Sequence, residues 1–150
     1  MGDKMILQTA SEGISLAKKL ETDSAQFYEA LAQRYSQNAE TFKAIAKENK
    51  KYISQIETAY YGVITDAIEG CYAFHLDPDN YDINVETSSV SSCKNALAQA
   101  VKVEETIIKF YSDAAEQSKS LMADVPRTFS LIAKKRGERL TRLISMTADN

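Results

Sequence analysis

The chain has 150 residues, a mass of 16.7 kDa and a formal net charge of −3. This length suits one domain spanning residues 1–150, and a pI near 5.3 gives no basic surface of the kind that nucleic-acid binding requires. Five Gly and two Pro are too few for a turn-rich all-β fold, so the composition favours long helices with few connections.

The chain begins MGDKMILQTASEG, which contains no apolar run long enough for a signal peptide. No stretch of about 18 apolar residues follows, so we expect no membrane-spanning segment. The two cysteines, Cys71 and Cys93, form no C-x-x-C pair and are too few for a disulfide scaffold. We therefore expect a cytoplasmic protein with reduced thiols, and whether the two thiols approach each other stays open.

Apolar residues recur at steps of three and four over four long stretches, and this spacing predicts four amphipathic helices. The predicted helices cover residues 9–36, 39–60, 93–119 and 125–147. Asn38 is suited to cap the second helix, because its side chain can accept a hydrogen bond from an unpaired backbone N–H. Helices thus account for most of the chain.

The connections between these helices differ in length. Residues 36–39 and 119–125 are short, which suits antiparallel neighbours. The stretch 61–91 is long: its first part can extend the second helix as far as Gly70, and the rest is predicted as loop. Fewer than about 15 extended residues can run the length of a 25-residue helix. Two antiparallel pairs joined by one long crossover predict an all-α, ferritin-like four-helix bundle.

The two halves of the chain repeat each other. Glu21 in the first helix and Glu104 in the third are each followed, six residues later, by a Phe-Tyr pair. The second helix contains FKAIAK and the fourth contains FSLIAK. Two related helical hairpins explain this pattern. Both glutamates lie on otherwise apolar helix faces, where a carboxylate is unusual.

This duplicated pattern resembles the rubrerythrin family of ferritin-like proteins over approximately residues 10–60 and 94–146. Members of that family carry a di-iron centre, with one Glu from each of helices one and three and a Glu-x-x-His pair from each of helices two and four. The four carboxylates balance two Fe²⁺, and the open coordination positions reduce peroxide or dioxygen. The resemblance also implies a homodimer. The rubredoxin-like module of many members, with two Cys-x-x-Cys pairs, has no counterpart in this sequence.

Only part of the di-iron ligand set is present. Glu21 and Glu104 match the two single glutamates of the family. The other four positions carry different residues: Asn49 and Tyr52 in the second helix, and Arg136 and Arg139 in the fourth. The remaining residues of interest are Glu48, whose helical angle points it away from Glu21, its counterpart Lys135, and the single histidine, His75, in the crossover.

These substitutions have an electrostatic logic. Two glutamates that face two arginines give an interior charge of zero without metal, and Arg suits bidentate pairing with a carboxylate. Asn49 and Tyr52 can donate to the remaining carboxylate oxygens. We therefore predict a buried polar network in place of the di-iron centre, with no metal-binding and no catalytic residues. The alternative for Arg136 and Arg139 is that both extend outward to solvent.

Three functional classes remain open at this point. The preferred one is a non-catalytic binding or scaffold protein derived from a metal-binding ancestor. The second is an oxidoreductase of rubrerythrin type that retains iron through Glu21, Glu104 and the Tyr52 phenolate, although two neighbouring arginines repel a cation. The third is a pocket protein that holds a small anion between Arg136 and Arg139.

Two weaker signals are interpreted as structural. The crossover segment DPDNYDINVE resembles a calcium loop only at Asp77 and Asp79, because Asp82 stands where Gly is required and Ser88 stands where Glu is required. Tyrosines at helical spacing are interpreted as interior residues whose hydroxyls satisfy the glutamates rather than as an electron-transfer chain: Tyr28, Tyr52 and Tyr111.

Overall fold

The computed structural model describes residues 5–63, 71–120 and 123–149. Within these ranges the chain is mostly helical, with helices α1 (Ala10–Arg34), α2 (Ala39–Tyr61), α3 (Cys93–Ser118) and α4 (Asp124–Asp149). The four predicted helices are confirmed, each within two residues at both ends. The predicted extension of the second helix to Gly70 falls on residues 64–70, which lie outside the described residues.

The helices begin with local capping that the sequence encodes. Thr9 forms a capping box with Glu12 at the start of α1, and the Ser92 side chain accepts from the Asn95 backbone N–H at the start of α3. The predicted side-chain cap by Asn38 is wrong. A one-turn 3-10 helix, Ser36–Asn38, runs directly into α2, so the Ala39 N–H bonds to the Ser36 carbonyl. The Asn38 amide is therefore free to donate to the Cys93 sulfur at 3.1 Å.

A small antiparallel sheet adds to the helices, so a purely all-α description is incomplete. Strand β1 (Leu7–Thr9) pairs with β2 (Tyr72–Leu76), which places Leu7 opposite Leu76. The sequence analysis treated the β2 segment as loop. A three-residue strand is too short to show a recognisable alternation of apolar and polar residues, and β2 shows two adjacent buried positions instead.

Strand β2 is held against the first helix by a close contact. A Cβ added at Gly13 would lie 2.3 Å from the ring of Phe74, so the ring occupies the space that any other side chain would need. Phe74 is itself buried. Gly13 therefore allows β2 to lie directly on α1.

The hydrophobic core lies between two helical hairpins. Helix α1 packs mainly against α2, and α3 packs mainly against α4, while apolar side chains from all four helices join one cluster. The connection after β2 is attached to this core, because Tyr81 is buried and donates to Asp113 of α3 at 2.7 Å. Arg34 at the end of α1 donates to the carbonyls of Thr87 and Val90. The connection thus contacts both hairpins.

Two further expectations concern membrane-spanning segments and the two cysteines. None of the helices in the described part of the chain is both long and apolar enough to cross a lipid bilayer. Cys71 and Cys93 are both free thiols and both partly buried. They are therefore not joined to each other in this structure.

Candidate functional site

Charged and polar side chains occupy the centre of the helical core. Glu21 comes from α1, Asn49 from α2, Glu104 from α3, and Arg136 and Arg139 from α4. Each of these side chains is at most 1% exposed. Burying a charge in an apolar core is costly unless it is paired and hydrogen-bonded, so these contacts decide whether the core is stable.

Arg136 bridges the two buried glutamates. Its Nε and Nη2 donate to Glu21 Oε2 and Oε1 at 3.3 and 2.6 Å, and its Nη1 donates to Glu104 Oε1 at 2.5 Å. Nη2 also lies 3.1 Å from Ser24 Oγ and 3.3 Å from Asn49 Oδ1. Every nitrogen of this guanidinium therefore has a protein acceptor, and the pairing with Glu21 is bidentate.

Arg139 links the centre to the surface. Its Nη1 donates to Asn49 Oδ1 at 2.7 Å and to Glu104 Oε2 at 3.3 Å, and its Nη2 donates to Glu48 Oε1 at 2.7 Å. Its Nε is buried and has no hydrogen-bond partner among the described residues. The Glu48 side chain is 42% exposed. Arg139 thus connects a fully buried carboxylate to one that reaches solvent.

Asn49 and Ser24 complete the polar centre. Asn49 Oδ1 accepts from both arginines, while its Nδ2 donates to Ser24 Oγ at 3.0 Å. Ser24 Oγ in turn donates to the Glu21 backbone carbonyl at 3.1 Å. The expectation that Asn49 donates to a carboxylate is wrong, because arginine and tyrosine donors already occupy the oxygens of both glutamates.

Two tyrosines supply those remaining donors. Tyr28 donates to Glu104 Oε2 at 2.6 Å, and Tyr111 donates to Glu21 Oε2 at 2.5 Å. Tyr52 does not donate to the two buried glutamates: its hydroxyl interacts with the Glu48 carboxylate, which helps to lower the pKa of Glu48, but the contact lacks ordinary hydrogen-bond geometry. Its ring instead lies 5.6 and 5.7 Å from the guanidinium carbons of Arg139 and Arg136, within cation–π range.

The pairing fixes the charge states of these groups. Burial acts to raise the pKa of Glu104, but the charges of Arg136 and Arg139 outweigh it, so the pKa lies below its usual value. Burial acts to lower the pKa of Arg136, and Glu104 and Glu21 raise it well above its usual value. Glu104 and Arg136 are therefore both charged at neutral pH, and each stabilises the charged form of the other.

The donor set does not fit a di-iron centre. Arg136 lies between the two carboxylates that match the family glutamates, and it uses oxygens of both. The described residues contain no cluster of three or more His, Cys, Asp or Glu side chains that could hold a metal ion. His75 is an exposed residue of β2. Its backbone N–H donates to the Gln117 side chain, and it is not one of the residues of the polar centre. Asp77 caps the 3-10 helix Pro78–Tyr81 by accepting from the Asp79 N–H.

The sequence analysis did not assign Ser24 and Glu48 to the network. Ser24 follows Glu21 by three residues, so it lies on the same face of α1, and this spacing was a signal that could have found it. Glu48 does point away from Glu21, as its helical angle predicts, but Arg139 extends outward to meet it. The reach of a long arginine side chain cannot be read from helical angles.

Comparisons of the chain with protein families, with curated proteins and with solved structures find no match. The resemblance to rubrerythrin therefore rests on the duplicated Glu and Phe-Tyr pattern, in which Glu21 and Glu104 are the two family ligand positions that match. The contacts described above come from the structure of this chain alone.

Proposed function

We propose that this chain is a ferritin-like protein related to rubrerythrins, that it does not use a di-iron centre, and that it acts by binding rather than by catalysis. The observation that carries the proposal is the position of Arg136. Its guanidinium pairs with Glu21 and Glu104, the two carboxylates that match family ligands, at 2.6 and 2.5 Å. In this proposal a fixed cation takes the electrostatic part that two metal ions play in the family.

The arrangement of helices supports the ferritin-like part of the proposal. Short connections join α1 to α2 and α3 to α4, and a long one separates the two hairpins. All four helices contribute to one polar centre, which is where bundles of this type place their sites. The proposal includes a homodimer, which light scattering on the purified protein tests.

An iron-retaining oxidoreductase is the less favoured proposal. It uses one iron held by Glu21 and Glu104, with the Tyr52 phenolate as an optional third ligand. Burial raises the pKa of Tyr52 well above its usual value, which disfavours the phenolate. A divalent cation would also have to displace Arg136 from both glutamates and would then lie beside two guanidiniums.

Metal content tests the proposal directly. The protein is purified without chelators, titrated with Fe²⁺ under anaerobic conditions, and analysed by elemental mass spectrometry. We expect far less than one metal ion per chain. A wild-type value near two metal ions per chain that is lost in Glu21→Ala would overturn the proposal.

The positive control restores the family ligand set on the same backbone: Asn49→Glu, Tyr52→His, Arg136→Glu and Arg139→His. Without metal this variant carries four carboxylates that repel one another, so it should be less stable than the wild type. Ferrous iron should stabilise it by mass action and should leave the wild type unchanged. Thermal melts with and without Fe²⁺ measure this difference.

A further inference from the structure

Arg139 lines a concavity between α2 and α4. The other residues that line it are Glu48, Lys135, Glu138 and Arg142. Lys135, Glu138 and Arg142 are exposed, whereas Arg139 is 1% exposed. The concavity therefore brings two surface cations, Lys135 and Arg142, and the carboxylates of Glu48 and Glu138 beside a buried guanidinium.

Arg136 and Arg139 differ in how many acceptors contact the Nε–Nη2 edge of the guanidinium. Arg136 directs both Nε and Nη2 at the two oxygens of Glu21. Arg139 directs only Nη2 at one oxygen of Glu48, and its Nε has no partner within the described structure. A buried N–H without an acceptor is unfavourable, so this edge is under-used by the protein itself.

Glu48 is not required for the charge balance of the centre. Glu21 and Glu104 already neutralise Arg136 and Arg139, and Glu48 adds a further negative charge from a side chain that is 42% exposed. Burial acts to raise the pKa of Glu48, but Arg139 lowers it below its usual value, so it stays ionised. Its carboxylate can move into solvent without leaving an unpaired charge in the interior.

We propose that a small oxyanion, a carboxylate or a phosphate, binds the Nε–Nη2 edge of Arg139 in place of Glu48. Two oxygens of such an anion match the fork of a guanidinium edge. Lys135 and Arg142 attract the anion at the mouth of the concavity. This inference rests on the proposed binding function and names its ligand class. Arg136 takes no part, because it does not line the concavity and each of its nitrogens already has a protein acceptor.

The test uses inorganic phosphate and succinate as probes, titrated separately by isothermal calorimetry at constant ionic strength. Glu48→Gln should tighten binding by about fivefold, because it weakens the competing partly exposed ion pair. Glu105→Gln, an exposed charge loss on α3, should leave binding unchanged. Lys135→Ala with Arg142→Ala should weaken binding by about tenfold, whereas Arg127→Ala, an exposed cation loss on the same helix, should not.

Saturable binding of phosphate would identify the ligand as a tetrahedral oxyanion, and saturable binding of succinate would identify it as a carboxylate. Either result supports the proposal when the variants change the affinity as described above. The absence of saturable binding in both wild type and Glu48→Gln would overturn it, as would equal losses in Arg127→Ala and the double variant. Fe²⁺ titration of the same samples separates the two proposals. Iron binding overturns the proposed function, whereas a metal-free protein without anion binding overturns only this inference.

Discussion

Tyr28 on α1 donates a 2.6 Å hydrogen bond to Glu104 on α3. The converse bond joins Tyr111 on α3 to Glu21 on α1. Each tyrosine follows the glutamate of its own helix by seven residues, two helical turns, so the two lie on one face. Each bond joins the glutamate of one helix to the tyrosine that lies two turns further along the other helix. This pattern requires α1 and α3 to run in opposite directions. The internal repeat thus appears as paired contacts at the centre.

The first prediction concerns the bridging arginine. Arg136→Ala leaves Glu21 and Glu104 buried without their main partner, and breaking a buried pair from one side costs about 3–5 kcal/mol. Adding Glu21→Gln and Glu104→Gln should recover much of that loss, because a neutral amide leaves no buried charge. Urea unfolding at neutral pH measures all three proteins.

An exposed pair gives the matched control for that experiment. Lys50 and Glu29 lie 3.3 Å apart on the surface, and Lys50→Ala should cost under about 1 kcal/mol. A loss in Arg136→Ala as small as the loss in Lys50→Ala, without recovery in the glutamine variant, would contradict a buried network.

The helices and the two glutamates of the centre were predictable from the sequence pattern, whereas Asn49, Tyr52, Arg136 and Arg139 were assigned to the centre by the resemblance to the rubrerythrin family. A helical period fixes which residues share a face, and the repeat fixed Glu21 and Glu104 as equivalent. The individual contacts were not predictable in the same way. Tyr52 was expected to donate to a carboxylate of the centre, but the guanidinium nitrogens of Arg136 donate to those carboxylates instead. Which donor contacts them depends on side-chain conformations that the spacing of residues does not encode. Strand β2 was missed because its two adjacent buried residues break the alternation that predicts a strand.

The second prediction concerns acid. The pKa of Glu104 is lowered in the folded protein, so its stabilising contribution is fully present above the unfolded pKa of about 4.5 and is lost as pH falls through the folded pKa. Because the unfolded chain binds up to one more proton at Glu104 than the folded protein does, stability changes by at most about 1.4 kcal/mol per pH unit. Urea unfolding between pH 7 and pH 3 should show a shallower acid slope in Glu104→Gln than in the wild type. Equal slopes would mean that Glu104 does not titrate differently on folding.

The third prediction concerns alkali. Burial, with the charge of Glu104 or Glu21, raises the pKa of Tyr28 and Tyr111 well above the usual value of 10.0. Their contribution is therefore fully present below about pH 10 and is lost as pH rises through the folded pKa. Unfolding free energies should fall above pH 10, and Tyr111→Phe should reduce this dependence.

The tyrosine variant has a second readout. Tyr111→Phe removes a hydrogen bond to a buried carboxylate, so it should cost about 1–3 kcal/mol at neutral pH. Tyrosinate absorbance during a pH titration of the folded wild type shows when each hydroxyl ionises. Ionisation of all eight tyrosines near pH 10 without unfolding would show that none is buried as described.

The fourth prediction tests the packing of β2. Gly13→Ala places a Cβ 2.3 Å from the Phe74 ring, and such overpacking costs about 1–3 kcal/mol. Phe74→Leu should relieve part of that cost in the double variant. Gly137→Ala is the control: a Cβ there meets nothing within 4 Å, so the gain in helix propensity should stabilise α4 by about 0.5–1 kcal/mol. Thermal melts that rank both alanine variants alike would contradict the contact.

The charge asymmetry between the hairpins has a consequence for how the chain assembles. Helices α1 and α2 bring Glu21 to the interior and no buried cation among their described residues, whereas α3 and α4 bring Glu104 with Arg136 and Arg139. Two copies of the same hairpin placed together would bury unbalanced like charges, which is strongly unfavourable. Unlike hairpins neutralise each other, within one chain or between two chains that exchange halves. A duplicated sequence whose halves share one shape thus distinguishes them by charge, and the first half can complete a neutral core only with the second.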